Sequence, residues 1–201
     1  MPELTTGWDT LLLVAVAAYL IGSIPFGILI TRTLGLGDLR AIGSGNIGAT
    51  NVLRTGHKGA ALATLLLDGA KGAVAVLLAR WLVGEDAAQL AGLSAFLGHL
   101  YPVWLNFKGG KGVATFLGVL LAMDWRVGLA ACGVWALAAA LTRMSSAAAL
   151  ISAATASIWL IMFDHGRMLF LVMILTLLVY FRHGANISRM RKGTEPKIGA
   201  K

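Results

Sequence analysis

The chain has 201 residues, of which 58% are hydrophobic and only 13% are charged, and its formal net charge is +8. Ordinary soluble domains are about 45–50% apolar and about 25% charged, so a soluble fold of this length could not bury so much apolar surface. The composition therefore excludes a soluble domain and a disordered chain, and it predicts an integral membrane protein. The single cysteine, Cys132, excludes a disulfide framework.

Seven apolar runs predict an all-α, polytopic membrane helix bundle with about seven transmembrane helices. The runs cover roughly residues 10–31, 60–82, 87–105, 113–123, 127–141, 147–163 and 166–181. About 20 helical residues cross a bilayer, so the fourth run is short and the fifth is marginal. Asp124 and Arg126 separate these two runs, and charges at mid-membrane are costly. We therefore expect two short, tilted spans or a re-entrant pair, within one integral membrane domain covering residues 1–201.

The distribution of basic residues predicts the orientation of the bundle. If the N-terminus lies outside, thirteen arginines and lysines fall on inner segments and three fall on outer segments. Inner loops of membrane proteins carry the excess of lysine and arginine. The sequence therefore predicts an outer N-terminus, a cytoplasmic C-terminus, and cytoplasmic positions for the four polar segments described next.

The first inner loop, residues 43–59, is rich in glycine and in hydrogen-bond donors. Gly43, Gly45 and Gly48 have the spacing G-x-G-x-x-G, but no strand precedes them, so a dinucleotide-binding unit is excluded. Glycines let backbone N–H groups converge on an anion, and Arg54 supplies a planar fork suited to phosphate. An ordinary polar loop, whose arginine only sets topology, is the alternative. The candidate ligands in this loop are Ser44, Asn46, Thr50, Asn51 and Arg54.

The second inner loop, residues 98–116, contains a lysine enclosed by glycines. Lys111 lies between Gly110 and Gly112, where a helix is predicted to begin and where the helix dipole favours a bound anion. The run GGKG lacks the upstream glycine and the following hydroxyl residue of a nucleotide-binding P-loop. Lys111 is therefore a candidate phosphate ligand, whereas the neighbouring Lys108 is assigned to membrane topology.

Two further inner segments add neutral polar groups. Ser145 and Ser146 either cap the next helix or reach a ligand held by the other loops. His183 and Asn186 are three residues apart and share one face if the last helix continues. The lipid interface has no need of these two side chains, so they are candidate site residues. The basic residues that follow them can serve as contacts to lipid headgroups alone.

Asp68 and Lys71 are charged residues inside the second apolar run. Their spacing predicts a local ion pair, and Gly69 and Gly72 beside them predict a close contact with another helix. A catalytic role for Asp68 is the alternative. The inner loops contain few acids and no His-x-x-x-x-Asp acyltransferase motif, so we predict neither a metal nor a cofactor.

Together these segments resemble the bacterial acyl-phosphate:glycerol-3-phosphate acyltransferases. The resemblance extends from about residue 22 to residue 198 and rests on GSGNIGATNVLR, LLLDGAKG, GHLYPVWLNFKGGKGVATF and HGANISRMRKGTEPKI. It implies a multi-spanning enzyme of the bacterial inner membrane with its active site on the cytoplasmic face. It also implies acyl transfer from acyl phosphate to the sn-1 hydroxyl of glycerol 3-phosphate, which yields lysophosphatidic acid and inorganic phosphate.

The resemblance also assigns roles to individual residues. It implies substrate binding by Ser44, Asn46, Thr50, Asn51, Arg54 and Ser146. It implies catalysis by Lys111, His183 and Asn186, and it places Glu195 in the C-terminal motif. The expected partners are the two substrates and membrane lipid, without nucleic acid. The proton acceptor is either His183 or a phosphate oxygen of the substrate.

One function of another class stays open at this point. A membrane transporter or channel for a phosphorylated metabolite would also need cationic and hydrogen-bonding groups. Such folds often contain inverted repeats and a polar site near mid-membrane. Here no internal repeat is visible, and most polar groups are predicted to lie at the inner face, so the sequence favours the acyltransferase.

Overall fold

The computed structural model describes residues 3–199, and within that range every regular element is helical. This confirms the all-α prediction. Three single 3-10 turns, Leu53–Thr55, Val103–Leu105 and Gly166–Met168, join some of the α-helices. The α-helices are, in order, α1 Trp8–Gly22, α2 Phe26–Thr33, α3 Ala49–Val52, α4 Lys58–Leu82, α5 Glu85–Leu100, α6 Val113–Met123, α7 Trp125–Thr142, α8 Ser145–Met162, α9 Leu169–Arg182 and α10 Gly184–Arg191.

Each of the seven predicted runs contains at least one helix, but the helices differ in their capacity to cross a membrane. Among residues 3–199, four segments are long and apolar enough: α1 with α2, α4, α7 and α8. A fifth arises if α9 and α10, which are bent by 59° at their junction, form one span. With only 16 and 11 residues, α5 and α6 are shorter. The structure therefore confirms an apolar helical bundle, while the seven full crossings stay a prediction.

Two of the predicted runs have different boundaries in the structure. The first run, 10–31, is divided between α1 and α2 at Pro25, which has no backbone N–H to continue a helix. The third run, 87–105, ends as a helix at Leu100. Beyond that residue the chain turns, and Pro102 lies in the turn. The first run is therefore one candidate span broken at Pro25, and the third run is helical only as far as Leu100.

The break between α6 and α7 follows the prediction from the charged residues. Asp124 is the N-cap of α7, and its carboxylate accepts hydrogen bonds from the backbone N–H groups of Arg126 at 2.9 Å and Val127 at 3.2 Å. An aspartate at this position satisfies N–H groups that have no partner inside the helix. The short α6 is therefore a separate helix that starts beside Lys111 and ends at Met123.

A close helix contact in the core joins α4 to α6. Gly118 of α6 lies directly against Gly69 of α4, and a Cβ atom on Gly118 would overlap the carbonyl oxygen of Gly69. Gly72, one turn further along α4, lies against Thr115 in the same way. Small residues let two helix backbones approach closely in a membrane. The close contact predicted from Gly69 and Gly72 is therefore confirmed.

The charged pair of α4 is bonded to the break between α1 and α2 and lies beside α5. Lys71 Nζ lies 2.8 Å from Asp68 Oδ1, which confirms the predicted ion pair. Lys71 also donates a hydrogen bond of 2.8 Å to the carbonyl of Ile24, at the break between α1 and α2. His99 of α5 lies on the other side, with Nδ1 at 3.7 Å from Asp68 Oδ1. Both members of the pair are buried, and each charge is neutralised by the other inside the bundle.

Candidate active site

All of the site residues predicted from the sequence lie around one cavity. The cavity has a volume of about 560 Å³ and lies between the loop before α4, the starts of α6 and α8, and the bend between α9 and α10. Four segments that are distant in sequence therefore converge, although the roles of their residues stay predictions. The predicted residues that line it are Ser44, Asn46, Thr50, Asn51, Arg54, Lys111, Ser146, His183 and Asn186.

Asn51 orients Arg54 within the first loop. Its Oδ1 accepts hydrogen bonds from Arg54 Nη1 at 3.0 Å and from the backbone N–H of Ser44 at 3.3 Å. Its Nδ2 donates to the carbonyls of Leu39 and Ile42 at 2.8 and 3.1 Å. An asparagine amide has two N–H donors and one oxygen with two lone pairs, so all of its capacity is used inside the loop. This geometry favours a positioning role for Asn51 over direct contact with a substrate.

The glycines of the first loop make room for Arg54. Gly43 has a φ of +54°, and a Cβ atom there would overlap the Arg54 side chain. Both the backbone conformation and the packing therefore require glycine at this position. The N–H of Gly45 donates to the carbonyl of Ile42 at 2.9 Å, and the N–H of Ser44 is already bound to Asn51. These two amides are used within the loop, so neither is free to bind an anion.

Lys111 lies in the loop before α6, and its ammonium group donates to Asn186 Oδ1 at 2.5 Å. Burial disfavours the charged form and lowers the pKa of Lys111 to about 8. Nearby Glu195 opposes this shift, while Arg189, Arg54 and Arg182 add to it by charge repulsion. Lys111 is therefore a partly desolvated cation, and a bound anion would stabilise its charged form.

Glu195 lies among several hydrogen-bond donors of the cavity. Its carboxylate accepts from Ser146 Oγ at 2.6 Å, Asn186 Nδ2 at 2.6 Å and Arg189 Nε at 2.8 Å. Burial by itself raises the pKa of Glu195, but these hydrogen bonds and the charge of Arg189 lower it below its usual value. The carboxylate is thus ionised and occupies donors that a phosphate could otherwise use.

The C-terminal segment around Glu195 folds back against the bundle. The backbone N–H of Ile198 donates to the carbonyl of Arg143 at 2.7 Å, and Pro196 and Ile198 line the cavity. Arg189 lines the cavity as well. The sequence allowed for this residue only a contact with lipid headgroups, whereas the structure places it in the cavity wall. Its spacing of three residues from Asn186 was the signal that could have identified it.

His183 presents one ring nitrogen as an acceptor. The residue is buried, and Nδ1 lies 2.8 Å from the carbonyl oxygen of Val179 one turn earlier in α9. A carbonyl oxygen requires a donor, so Nδ1 carries the proton and Nε2 of the neutral ring is unprotonated. His183 lies at the bend between α9 and α10, so the last helix does not continue straight through it. The bend still leaves both His183 and Asn186 on the cavity wall.

The two serines at the start of α8 have different partners. Ser145 Oγ lies 3.0 Å from Thr50 Oγ1, whereas Ser146 is bound to Glu195. Neither caps the helix, because the N-cap residue is Met144 and no side-chain cap is formed. Both serines line the cavity, so each connects α8 to another segment of the site.

The other end of the cavity is apolar and lies between three helices. Apart from Asp68 of α4, its wall consists of hydrophobic side chains and small residues, among them Leu65, Leu66 and Ala73 of α4, Leu117 and Leu121 of α6, and Cys132 and Trp135 of α7. At 1.5 Å per helical residue, Cys132 is about 15 Å along α7 from its end at Thr142. The cavity therefore connects a polar, cationic end to an apolar groove within the bundle.

Comparison with known proteins identifies the family. The family model described as glycerol-3-phosphate acyltransferase matches residues 12–193. The glycerol-3-phosphate acyltransferase of Cereibacter sphaeroides is 61% identical over 201 residues, which cover all of this chain and 96% of that protein. The enzyme of the same name from Ruegeria pomeroyi is also 61% identical, and the match covers all of this chain and 99% of that protein. The chain belongs to the glycerol-3-phosphate acyltransferase family.

Solved structures of a family member have the same fold. PlsY (YgiH), an integral membrane glycerol 3-phosphate acyltransferase, matches in its glycerol 3-phosphate form with a TM-score of 0.89 and 38% identity. Its lysophosphatidic acid form matches with a TM-score of 0.88 and 37% identity. Both matches cover 94% of this chain and 96% of the other. The present chain is therefore an integral membrane enzyme of lipid biosynthesis. This finding favours the acyltransferase function over the transporter function considered above.

The shifted pKa of Lys111 predicts how acyltransferase activity depends on pH. If the charged ammonium binds substrate phosphate, kcat/KM should fall as the pH rises through about 8, because kcat/KM reports ionisations of the free enzyme. Lys111→Arg should shift this fall to a much higher pH, since a guanidinium stays charged. The measurement is kcat/KM between pH 6 and pH 10 for both proteins. A fall at the same pH in both would contradict the assignment to Lys111.

Proposed function

We propose that this chain transfers the acyl group of an acyl phosphate to the sn-1 hydroxyl of glycerol 3-phosphate. The products are lysophosphatidic acid and inorganic phosphate. The observation that carries the proposal is the single cavity that joins a cationic end to an apolar groove. The glycerol 3-phosphate and lysophosphatidic acid forms of PlsY support the same substrate and product for this chain.

Two cations are available for the two phosphate groups of the substrates. The Arg54 guanidinium can hold two oxygens at once, and Lys111 supplies a compact charge. Neither residue forms an ion pair with a carboxylate among the described residues, whereas Arg189 is paired with Glu195 at 2.8 Å. The hydroxyl groups of Ser44 and Thr50 line the same wall and can donate further hydrogen bonds. Arg54 and Lys111 are therefore the residues that this proposal assigns to phosphate.

The reaction requires one bond to form and one to break. The sn-1 hydroxyl oxygen attacks the acyl carbonyl carbon, and the bond from that carbon to the phosphate oxygen breaks with its electron pair leaving on phosphate. Phosphate is a good leaving group, so no covalent enzyme intermediate is needed. Catalysis then depends on hydrogen-bond donors that orient the two substrates. The same donors can stabilise the negative charge that develops on the carbonyl oxygen.

The proton of the attacking hydroxyl has two possible acceptors. One is Nε2 of His183, which is unprotonated in the tautomer described above and belongs to a cavity-lining residue. The other is an oxygen of a substrate phosphate. His99 also lines the cavity, but its Nδ1 lies 3.7 Å from Asp68 Oδ1 inside the bundle and its ring packs against Gly110. His99 is therefore a structural residue in this proposal.

The acyl chain is assigned to the apolar groove between α4, α6 and α7. A chain that starts at the polar end and extends along Leu117 and Leu121 would reach Cys132, about 15 Å deep along α7. Burial of each methylene group contributes about 0.8 kcal/mol. The groove can therefore bind a long acyl chain while the reactive carbonyl stays at the polar end.

The orientation and location of the enzyme complete the proposal. We place this single-domain protein in the bacterial inner membrane, with the cavity and the C-terminus on the cytoplasmic side. Cysteines at exposed Gly56 and exposed Gly166, each in a chain with Cys132 replaced by alanine, test the orientation. An impermeant maleimide should label intact cells at Gly166 only.

The decisive experiment compares acyl donors. Purified protein in detergent receives glycerol 3-phosphate with either palmitoyl phosphate or palmitoyl-CoA, and a chelator is present in both reactions. We expect lysophosphatidic acid and inorganic phosphate from palmitoyl phosphate, and little product from palmitoyl-CoA. Efficient turnover of palmitoyl-CoA, with none of palmitoyl phosphate, would overturn the proposed donor but not the family.

A further inference from the structure

The segment Gly109–Gly112 carries Lys111 but has few side chains that could hold its shape. Gly109 and Gly110 donate their backbone N–H groups to carbonyls at the end of α5, both at 3.1 Å. The segment contains no regular secondary structure before α6 begins. The position of Lys111 therefore also depends on the group that binds the carbonyl oxygens of the two glycines.

Arg182 holds this carbonyl side. Its Nε donates to the carbonyl of Gly110 at 3.1 Å, and its Nη2 donates to the carbonyl of Gly109 at 3.2 Å. The guanidinium also lies over the ring of Tyr101, 5.4 Å from the ring centre. Two donors of one planar group, bound to two successive carbonyls, fix both the position and the orientation of a backbone. A lysine ammonium cannot reproduce this fork.

Arg182 is also well placed to connect two parts of the site. It is the last residue of α9 and directly precedes His183 at the bend to α10. Lys111 in turn donates to Asn186 on α10. The loop and the bend are therefore joined twice, once by Arg182 at the glycines and once by Lys111 at the cavity wall. Arg182 is not among the described residues that line the cavity, so its contacts are with the backbone and not with a substrate.

We propose that Arg182 is a positioning residue for acyl transfer. It clamps the Gly109–Gly110 backbone to the bend between α9 and α10 and thereby sets the position of Lys111 relative to His183. The kinetic part of this inference rests on the proposed function, which assigns Lys111 to a substrate phosphate. The structural part does not, because loss of the clamp loosens the loop whatever the acyl donor is.

Hydrogen exchange of the full chain in detergent tests the structural part. In Arg182→Lys, we expect the amides of Gly109 and Gly110 to exchange roughly tenfold faster than in the native protein, because their segment loses a charge-assisted bond. Peptides of α4 and α8 should exchange as before. Arg191→Lys, on an exposed part of α10, is the matched control and should change nothing. Unchanged exchange in the loop, or faster exchange throughout the protein, would overturn the clamp.

A double-mutant cycle tests the kinetic part. Arg182→Lys should lower kcat/KM about tenfold in the native protein, but by about twofold or less in a Lys111→Gln background, because the clamp acts through Lys111. Equal losses in both backgrounds would overturn the positioning role. If no acyl donor is turned over, the proposed function fails while the exchange result still decides the clamp.

A second variant tests the same clamp by removing the aromatic ring that lies against the guanidinium. Tyr101→Leu removes the ring beneath the guanidinium and leaves Arg182 in place. It should accelerate exchange in the same loop peptide and nowhere else, although by less than Arg182→Lys. If neither variant folds, Arg182 has a general structural role and the proposal is overturned.

Discussion

Replacement of Arg54 by lysine should lower kcat/KM for acyl transfer by roughly ten- to a hundredfold. The substitution keeps the positive charge and removes the planar fork that can hold two phosphate oxygens. It also removes the hydrogen bond from Nη1 to Asn51, which orients the group. A lost charge-assisted hydrogen bond costs about 1.5–3 kcal/mol, which corresponds to this range of rates. Steady-state kinetics with both substrates varied gives the measurement.

The same substitution at another arginine supplies the control. Arg191→Lys changes an exposed residue of α10 and should leave kcat/KM and thermal stability at native values. Arg54→Lys should also retain native stability, because Arg54 is only partly buried in a loop. Native kinetics in well-folded Arg54→Lys would show that Arg54 only sets membrane topology, and it would remove this residue from the proposed site.

Replacement of Gly118 by alanine should destabilise the bundle and reduce activity together. The new Cβ atom would overlap the backbone carbonyl of Gly69, so α4 and α6 must move apart. Overpacking of this kind typically costs about 1–3 kcal/mol. The start of α6 lies beside Lys111, and a displacement of about 1 Å at a reacting group can lower the rate about a hundredfold. Thermal unfolding in detergent and kcat/KM measure the two effects.

Gly133 provides a matched control for this experiment. It lies within α7, as Gly118 lies within α6, but a Cβ atom on Gly133 would have no neighbour within 4 Å. Gly133→Ala should therefore be neutral or slightly stabilising, since alanine is the better helix former. If both alanine variants have the same unfolding temperature as the native protein, the close contact between α4 and α6 does not hold the bundle together.

Local sequence features predicted the local structure well. The charges at Asp124 and Arg126 correctly predicted the break between α6 and α7, because an aspartate before a helix satisfies its free N–H groups. The spacing of Asp68 and Lys71 correctly predicted their ion pair, since residues three apart lie on one helix face. These predictions succeeded because the interacting atoms are close in sequence.

Tertiary contacts account for most of what the sequence did not reveal. The bonds of Arg182 to Gly109 and Gly110 span 73 and 72 residues, and nothing in either segment indicates the other. The residue type of Asn51 predicted a substrate ligand. In the structure, all hydrogen bonds of its side-chain amide are made inside its own loop. The convergence of the polar segments was expected from topology. Which donor binds which partner depends on packing and could not be predicted.

If one cavity holds the phosphate groups and the acyl chain at its two ends, the native Cys132 at the apolar end reports on bound ligand. Its alkylation rate by a small, membrane-permeant thiol reagent is measured with no ligand, with glycerol 3-phosphate, and with lysophosphatidic acid bearing a palmitoyl chain. We predict that only the acylated ligand slows alkylation, and that Arg54→Lys weakens this protection. Equal alkylation with and without lysophosphatidic acid would contradict the placement of the acyl chain between α4, α6 and α7.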